Sequence, residues 1–454
     1  MNRTNERDNF ILVFFMMSLT ILVTSTAFIS WYYKIASLYP SKGTDFIAEV
    51  LVYLIHIIGM LIFSFGIKKR PDVVLRKENF ILCIGLWYIL SLLSVVTDSV
   101  PLVMGLGLAA SVLTGMLFGY YLTALADGVK QRRGLLFGGA GAVSSIASFL
   151  VSLPVKRTFL FGNSVWILYF VFAVLSVVCV WFAFPGKEEA QSAELGNQVP
   201  VALSDPEKLK KYLIIGGVII VLLSMVGNMG FYFPSADITQ AGVDLEFSRA
   251  FYSIGLIIAG IIYDKSPKIA LIFCSSSILF PFVSLLLMEQ LQASVVLWVM
   301  AYIILGFVSV FRALTFVSPA GTDKKFLYLA PIGFTCGRLG EAIGTSLAIV
   351  LTPHRLVHII VTSVVCICTM LAFFFLLDQK SEHLAPRQSS ESEDSLSNRE
   401  HEVLQMLLDG KTYREIASDL YISENTVKYH VKNIYKKYGC SSRKELIQKY
   451  NFEK

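Results

Sequence analysis

Charge is scarce in this chain of 454 residues, of which 16% are Asp, Glu, Lys or Arg and 55% are hydrophobic. Soluble domains carry about 25% charged residues and about 45–50% apolar ones, even with glycine counted as apolar. The deficit excludes a single soluble globule and a disordered chain. It is also uneven, because apolar runs fill the chain as far as Leu377 and an ordinary polar composition follows.

Cysteine and enzyme motifs are also missing. The seven cysteines form no CxxC and no Cys/His spacing, and six of them lie inside apolar runs, so neither a disulfide scaffold nor a structural metal is indicated. The chain has no P-loop, GxSxG, HExxH, kinase or phosphate-receiver pattern. We therefore expect a protein that is not an enzyme, with no catalytic residues, no cofactor and no phosphorylation input.

Long apolar stretches dominate what is present. A helix needs about 17–25 mostly apolar residues to cross a bilayer. Twelve stretches are predicted to do so: 9–33, 45–67, 79–97, 101–126, 134–153, 162–184, 212–233, 248–263, 268–288, 293–317, 325–351 and 355–377. The polar segment 185–211 divides them into six plus six within a membrane domain covering 1–377 (1–184 and 212–377).

The positions of Lys and Arg predict the orientation. With a cytoplasmic N-terminus, eighteen of them fall in inside loops, whereas Lys34, Lys42, Lys156, Arg157 and Arg355 fall outside and Arg249 lies at the border of an outside loop. The even number of spans then returns the C-terminus to the cytoplasm. The first apolar run is too long for the core of a signal peptide and is interpreted as a retained helix. Residues 378–395, rich in Ser and Glu and interrupted by Pro386, are predicted to be a flexible linker.

The segment 396–454 has the periodicity of short amphipathic helices. Ser397–Glu400 and Thr412–Glu415 are capping boxes, and each precedes apolar residues at helical spacing. A three-residue turn, Tyr421–Ser423, leads into a third helix, and Ser442 begins a fourth. Two short helices joined by so tight a turn predict a helix-turn-helix unit.

The charges in this segment favour nucleic acid as the partner. From Tyr421 to Lys454, eight Lys and Arg residues oppose three Glu residues, a net of +5. Lys428 and Lys432 are four positions apart, so both side chains can enter one groove. On charge alone, a lysine-rich solvated helix is the alternative.

The sequence of this segment adds a family resemblance. It resembles the LuxR-type (GerE-like) DNA-binding domain at Arg399-Glu400, Glu402-Val403-Leu404, Gly410, Glu415-Ile416-Ala417, Leu420, Ile422-Ser423, Thr426-Val427-Lys428, His430, Ile434, Lys437, Gly439 and Arg443. The resemblance implies promoter DNA as partner, recognition by about 424–438 and a homodimer formed through the last helix, about 442–450. It places Lys428, Tyr429 and Lys432 near bases, and Thr426 and Lys436 near the backbone. Tyr438 departs from the family's usual aliphatic residue.

The membrane domain resembles the major facilitator superfamily. Six plus six spans fit that family, and Gly260, Asp264 and Lys265 match its loop motif, with Pro267 where a glycine is usual. The equivalent loop after Gly66 is basic but lacks the acid. The predicted fold is therefore all-α: a 12-helix transmembrane bundle followed by a small four-helix domain.

Ionisable or polar residues within spans are candidates for binding a small molecule. They are His56, Asn228, Tyr232, Arg338 and Glu341. Arg338 and Glu341 can pair on one helical face, either to bind a charged ligand or to lock helices together. Arg312 is expected to reach the cytoplasmic surface with its long side chain.

Two functions remain open at this point. The first is a one-component transcription regulator in the bacterial cell membrane that senses an unknown small molecule. The second is a working transporter with a regulatory DNA-binding tail. In the first six spans, no carboxylate stands out as a candidate for proton coupling, since Glu49, Asp98 and Asp127 lie near span ends.

Overall fold

The computed structural model describes residues 2–38, 44–154, 164–183, 206–241, 250–276, 278, 291–351, 353–384, 398–420, 422–438, 440, 442–443 and 445–447. The chain divides into two compact units, Met1–Gln379 and Lys380–Lys454, here called unit 1 and unit 2. Within the described ranges the regular structure is helical and contains no strand, as the sequence predicts.

Unit 1 is built from long helices. They are α1 (Asn2–Leu38), α2 (Thr44–Lys69), α3 (Pro71–Val74), α4 (Lys77–Val96), α5 (Val100–Gly128), α6 (Arg133–Pro154), α7 (Ser164–Ala183), α8 (Pro206–Ala241), α9 (Tyr252–Lys265), α10 (Pro267–Ser276), α11 (Leu291–Ala320), a 3-10 helix (Lys324–Leu329), α12 (Ile332–Leu351) and α13 (Arg355–Leu384). Each of the twelve predicted spans overlaps one of these helices. Among the described residues, nine segments are long and apolar enough to cross a membrane.

Three helix boundaries differ from the sequence-based expectations. The predicted span 325–351 begins as a 3-10 helix and restarts after Pro331, whose ring and missing N–H prevent a continuous α-helix there. Helix α8 begins at Pro206, within the predicted loop 185–211, because proline and an acidic residue favour the first turn of a helix. Helix α13 continues through 384, seven residues into the predicted linker 378–395; residues 385–395 lie outside the described part.

The outer surface of unit 1 is apolar. Leu356 and Leu82 expose 72% and 69% of their surface, and many other large aliphatic and aromatic side chains are exposed on the same helices. Soluble monomers rarely expose apolar patches of more than a few hundred Å². This surface fits a hydrocarbon environment, and unit 1 is a multi-pass membrane unit.

Helices α6 and α9, from opposite halves of the six-plus-six arrangement, cross at two glycines. A Cβ added to Gly260 would lie 2.3 Å from the carbonyl oxygen of Gly134, and one added to Gly134 would lie 2.4 Å from the carbonyl oxygen of Gly260. The Asp264 carboxylate accepts hydrogen bonds from the backbone N–H groups of Gly134 and Leu135, both at 2.7 Å. The loop-motif acid therefore caps the beginning of α6, where free N–H groups and the helix dipole favour a negative charge.

Unit 2 contains α14 (Asn398–Leu408), α15 (Tyr413–Asp419) and α16 (Glu424–Lys437). Its own apolar core is formed by Val403, Leu404, Leu407, Ile416, Ala417, Val427, Val431, Ile434 and Leu446. The fourth predicted helix is described only over 445–447, where the Glu445 N–H donates to the Ser442 hydroxyl at 3.3 Å.

Candidate functional site

Local hydrogen bonds fix the beginnings of α15 and α16. The Thr412 hydroxyl accepts from the Glu415 N–H, and the Glu415 carboxylate accepts from the Thr412 N–H, which confirms the predicted capping box. These bonds, first from the Thr412 backbone and then from its hydroxyl, lower the pKa of the Glu415 carboxyl. At the next cap the Ser423 hydroxyl accepts from the Thr426 N–H at 3.1 Å. Both helices therefore begin with a capped backbone N–H group.

Three basic side chains make long-range contacts that hold the helices of unit 2 together. The Arg399 guanidinium donates to the Leu420 carbonyl at 2.7 Å, and Lys437 pairs with the buried Glu400 carboxylate at 2.7 Å. Arg443 donates to the Lys411 carbonyl at 3.0 Å and to the Leu407 carbonyl in the last turn of α14. The first predicted box, Ser397–Glu400, begins outside the described residues, and its acid serves this ion pair.

Helix α14 is followed by Gly410, whose φ of +88° lies in the left-handed region. The Gly410 N–H donates to Leu407 at 3.2 Å and the Lys411 N–H donates to Met406 at 3.1 Å. These two bonds form a Schellman cap, in which glycine is favoured because it has no Cβ. The cap turns the chain into the loop that begins α15.

Helix α16 has one buried face and one exposed face. Val427, Val431 and Ile434 are buried in the core, whereas Tyr429 is 59% exposed and Lys428 and Lys432 are exposed beside it. Lys428 pairs with Glu424 at 3.1 Å, and the Thr426 hydroxyl lies 2.7 Å from that of Ser423. The side chain of Lys436 lies outside the described part. Thr426, Lys428, Tyr429 and Lys432 thus lie on the exposed side of one helix.

A second candidate site lies inside unit 1 (the charge cluster: Arg312, Arg338 and Glu341). One Glu341 carboxylate oxygen binds Arg312 Nη1 at 2.5 Å and the other binds Arg338 Nη1 at 2.7 Å. The expectation that Arg312 reaches the surface is wrong, since it is 8% exposed and paired. The reason is a close crossing: a Cβ at Gly333 would lie 1.8 Å from the Arg312 carbonyl oxygen, so α11 and α12 meet where only glycine fits.

Other predicted residues gather at the charge cluster. Asn228 donates to the Glu341 carbonyl at 3.2 Å and to the Thr345 hydroxyl at 2.9 Å, linking α8 to α12. The buried His56 ring lies 5.5 Å from that of Phe118, which itself lies 5.9 Å from the Arg338 guanidinium. The side chain of Tyr232 lies outside the described part.

Three aromatic rings contact the two guanidiniums and were not among the predicted residues. Arg338 lies 5.0 Å from the centre of the Tyr53 ring, and Arg312 lies 4.4 Å from that of Phe334. Phe118 is the third. A single aromatic residue in an apolar span gives no sequence signal of its own. Arg312 could have been found, because an arginine well inside a span is itself a sign of a functional site.

A cavity of about 1000 Å³ lies elsewhere in unit 1, along α8, the 3-10 helix and the beginning of α12. Its lining is mostly apolar, with Lys210, Asp323 and Lys325 among the polar residues. No residue of the charge cluster lines it, so convergent charges and aromatic rings, and not cavity size, identify the candidate ligand site.

The fold of unit 1 has a structural counterpart. The crystal structure of the human organic anion transporter MFSD10 (TETRAN) matches with a TM-score of 0.54 and 14% sequence identity, covering 82% of this chain and 99% of that one. At this identity the similarity concerns the fold, which is of the major facilitator type. The chain thus combines a bundle of that type with a DNA-binding helix-turn-helix domain.

Residues 394–450 match the family described as bacterial regulatory proteins, luxR family. The spore germination protein GerE of Bacillus subtilis is 42% identical over 57 residues, which are 13% of this chain and 77% of GerE. The chain belongs to the luxR family. The uncharacterized response regulatory protein YgeK of Escherichia coli is 42% identical over 76 residues, which are 17% of this chain and half of YgeK. The quorum-sensing regulator RhlR of Pseudomonas aeruginosa is 44% identical over 68 residues, which are 15% of this chain and 28% of RhlR.

Proposed function

We propose that this chain is a one-component transcription regulator embedded in the bacterial cell membrane. A small molecule binds unit 1, and the resulting change in unit 1 alters how unit 2 binds promoter DNA. One observation carries the proposal: a luxR-family DNA-binding domain is continuous with a membrane bundle of transporter type that holds charged residues in its interior. Both termini lie in the cytoplasm, and the protein acts without catalysis.

Within unit 2, α16 enters the major groove. Lys428, Tyr429 and Lys432 approach base edges, while Thr426 and Lys436 lie near the backbone. The exposure of the described side chains on this face supports the assignment. Lysines that neutralise phosphates release counterions and so give salt-dependent affinity. A homodimer formed through residues 442–450 places two such helices on an inverted site.

Within unit 1, the site for the small molecule is formed by His56, Asn228, Tyr232, Arg338 and Glu341. A ligand changes DNA binding only if it binds two states of the bundle with different affinity. The membrane domain (1–377) is the sensing domain and the helix-turn-helix domain (396–454) is the output domain, and the linker 378–395 joins them.

Transcript profiling tests the proposal. A strain that expresses residues 380–454 is compared with one that expresses the full chain, each with and without culture extracts that activate the full-length protein. We expect the fragment to regulate the same genes without responding to the stimulus. Equal responses of fragment and full chain would contradict a sensing role for unit 1.

A transporter with a regulatory tail is the second candidate, and the major facilitator-type fold favours it. Uptake by the purified full-length protein in proteoliposomes separates the two. Flux of a compound that also alters the transcript profile would support the transporter, whereas binding of that compound without flux supports the regulator.

A further inference from the structure

The charge cluster carries an excess positive charge inside the membrane unit. Arg312 and Arg338 share the single carboxylate of Glu341, so the three ionised groups sum to +1. Arg312 and Glu341 are each 8% exposed. A net charge buried inside a membrane unit costs several kcal/mol. A cluster that keeps such a charge is therefore a candidate for binding a ligand of opposite charge.

The two arginines also retain unused hydrogen-bond donors. Each guanidinium has five N–H donors, and both oxygens of Glu341 are already bonded to one Nη1 each. In the part of the chain that the structure describes, Nε of Arg312 and Nε of Arg338 are buried without a hydrogen-bond partner. The side chain of Arg338 is 18% exposed, so this guanidinium is the accessible one.

The surroundings of Arg338 are aromatic. The rings of Tyr53 and Phe118 lie 5.0 and 5.9 Å from its guanidinium carbon. Glu49 is the other nearby acid, and its carboxylate accepts a hydrogen bond from the Tyr53 hydroxyl. Next to the free charge there is therefore an apolar surface for the body of a ligand.

From this geometry we infer that the charge cluster binds a monovalent organic anion, a carboxylate with an apolar or aromatic body. One excess charge matches one carboxylate, and a planar guanidinium fork matches its two oxygens. The inference rests on the proposed function in taking this anion as the signal that unit 1 senses.

Thermal unfolding of the purified full-length protein in detergent tests the anion class directly. The probe is sodium benzoate, compared with neutral benzamide at constant ionic strength. Benzoate is expected to raise Tm in a concentration-dependent manner, and benzamide is not. Equal shifts with both compounds, or no shift with benzoate, would overturn the inference.

Variants that change the charge of the cluster in opposite directions sharpen the test. Arg338→Gln is expected to weaken benzoate binding by about tenfold or more, the loss of one charge-assisted hydrogen bond. Glu341→Gln removes the carboxylate that competes with benzoate for the two guanidiniums and is expected to strengthen benzoate binding. Arg70→Gln, the same change at an exposed arginine, serves as the control. A residue that merely locks helices together would not move affinity in both directions.

Folding of these variants is monitored by their Tm without benzoate. If Arg338→Gln does not fold, Arg338→Lys is tested in its place, because lysine keeps the positive charge but lacks the planar guanidinium. Its affinity for benzoate is expected to be weaker than that of the wild type but still measurable. Wild-type affinity in Arg338→Lys and Glu341→Gln together would contradict the inference. If benzoate binds but the transcript profile does not respond, the anion site stands and the regulator is refuted. If the transcript profile responds but benzoate does not bind, the regulator stands and the anion site is refuted.

Discussion

Replacing Lys428 and Lys432 by alanine tests where α16 meets DNA. Each lysine that neutralises a phosphate contributes about −0.9 to the slope of log K against log salt concentration. On random-sequence duplex DNA, the slope of the double variant is therefore expected to be smaller by about 1.8. On promoter DNA, two lost base contacts of about 1–3 kcal/mol each are expected to abolish a detectable complex.

The ion pair between Lys428 and Glu424 provides the opposite perturbation. Its two side chains are 54% and 48% exposed, and such surface pairs contribute about 0–1 kcal/mol. DNA must compete with Glu424 for this lysine. Glu424→Ala is therefore expected to strengthen binding to random-sequence DNA, by about fivefold at most.

Fluorescence anisotropy across a salt series measures these effects on residues 380–454. This fragment is a compact unit with its own core, and GerE is itself little longer than the matched domain. Lys411→Ala removes the same charge from the loop before α15 and is the control. An unchanged slope in the double variant, or an equal loss in Lys411→Ala, would refute the placement of α16.

Three further predictions concern the stability of unit 2, each measured by urea unfolding of the same fragment. Lys437→Met removes the ammonium that pairs with the Glu400 carboxylate, which is 2% exposed, and is expected to cost about 3 kcal/mol. Glu400→Gln is expected to cost less because Lys437 is 21% exposed and can reach water, and equal costs would contradict this asymmetry. Gly410→Ala forces a Cβ into the left-handed region and is expected to cost about 1–2 kcal/mol, and an unchanged midpoint would refute the cap. The pKa of the Glu415 carboxyl is lowered below its ordinary 4.5, so the stability that its ionised form contributes is present above about pH 5 and is lost as the pH falls through the folded-state pKa. Glu415→Gln is therefore expected to lose less stability between about pH 5 and lower pH than the wild type does. The same loss of stability in both proteins would count against the capping role.

Local features of the fold could be predicted from sequence because their partners are close along the chain. The Thr412–Glu415 box and the Arg338–Glu341 pair both span three positions, where helical geometry alone brings side chains together. The ion pair of Arg312 with Glu341 spans 29 positions and depends on how two helices cross. No local pattern encodes that crossing, so the expected surface position of Arg312 was wrong.

The same distinction applies to the helix boundaries. The apolar stretches predicted the position of each membrane helix, because burial in hydrocarbon is a property of composition. Composition did not reveal the break before α12, since a proline in an apolar run still counts toward a span. Nor could it reveal the pairing of Glu400 with Lys437, which are 37 positions apart.

The crossing of α6 and α9 at Gly134 and Gly260 has a genetic consequence. A single methyl group at either position cannot be accommodated while the helices stay together, so it favours arrangements in which they separate. If separation is part of the response to a ligand, such a substitution mimics the ligand. A selection for constitutive mutants, in which target genes no longer need an inducer, should then return alanine and serine at these two codons.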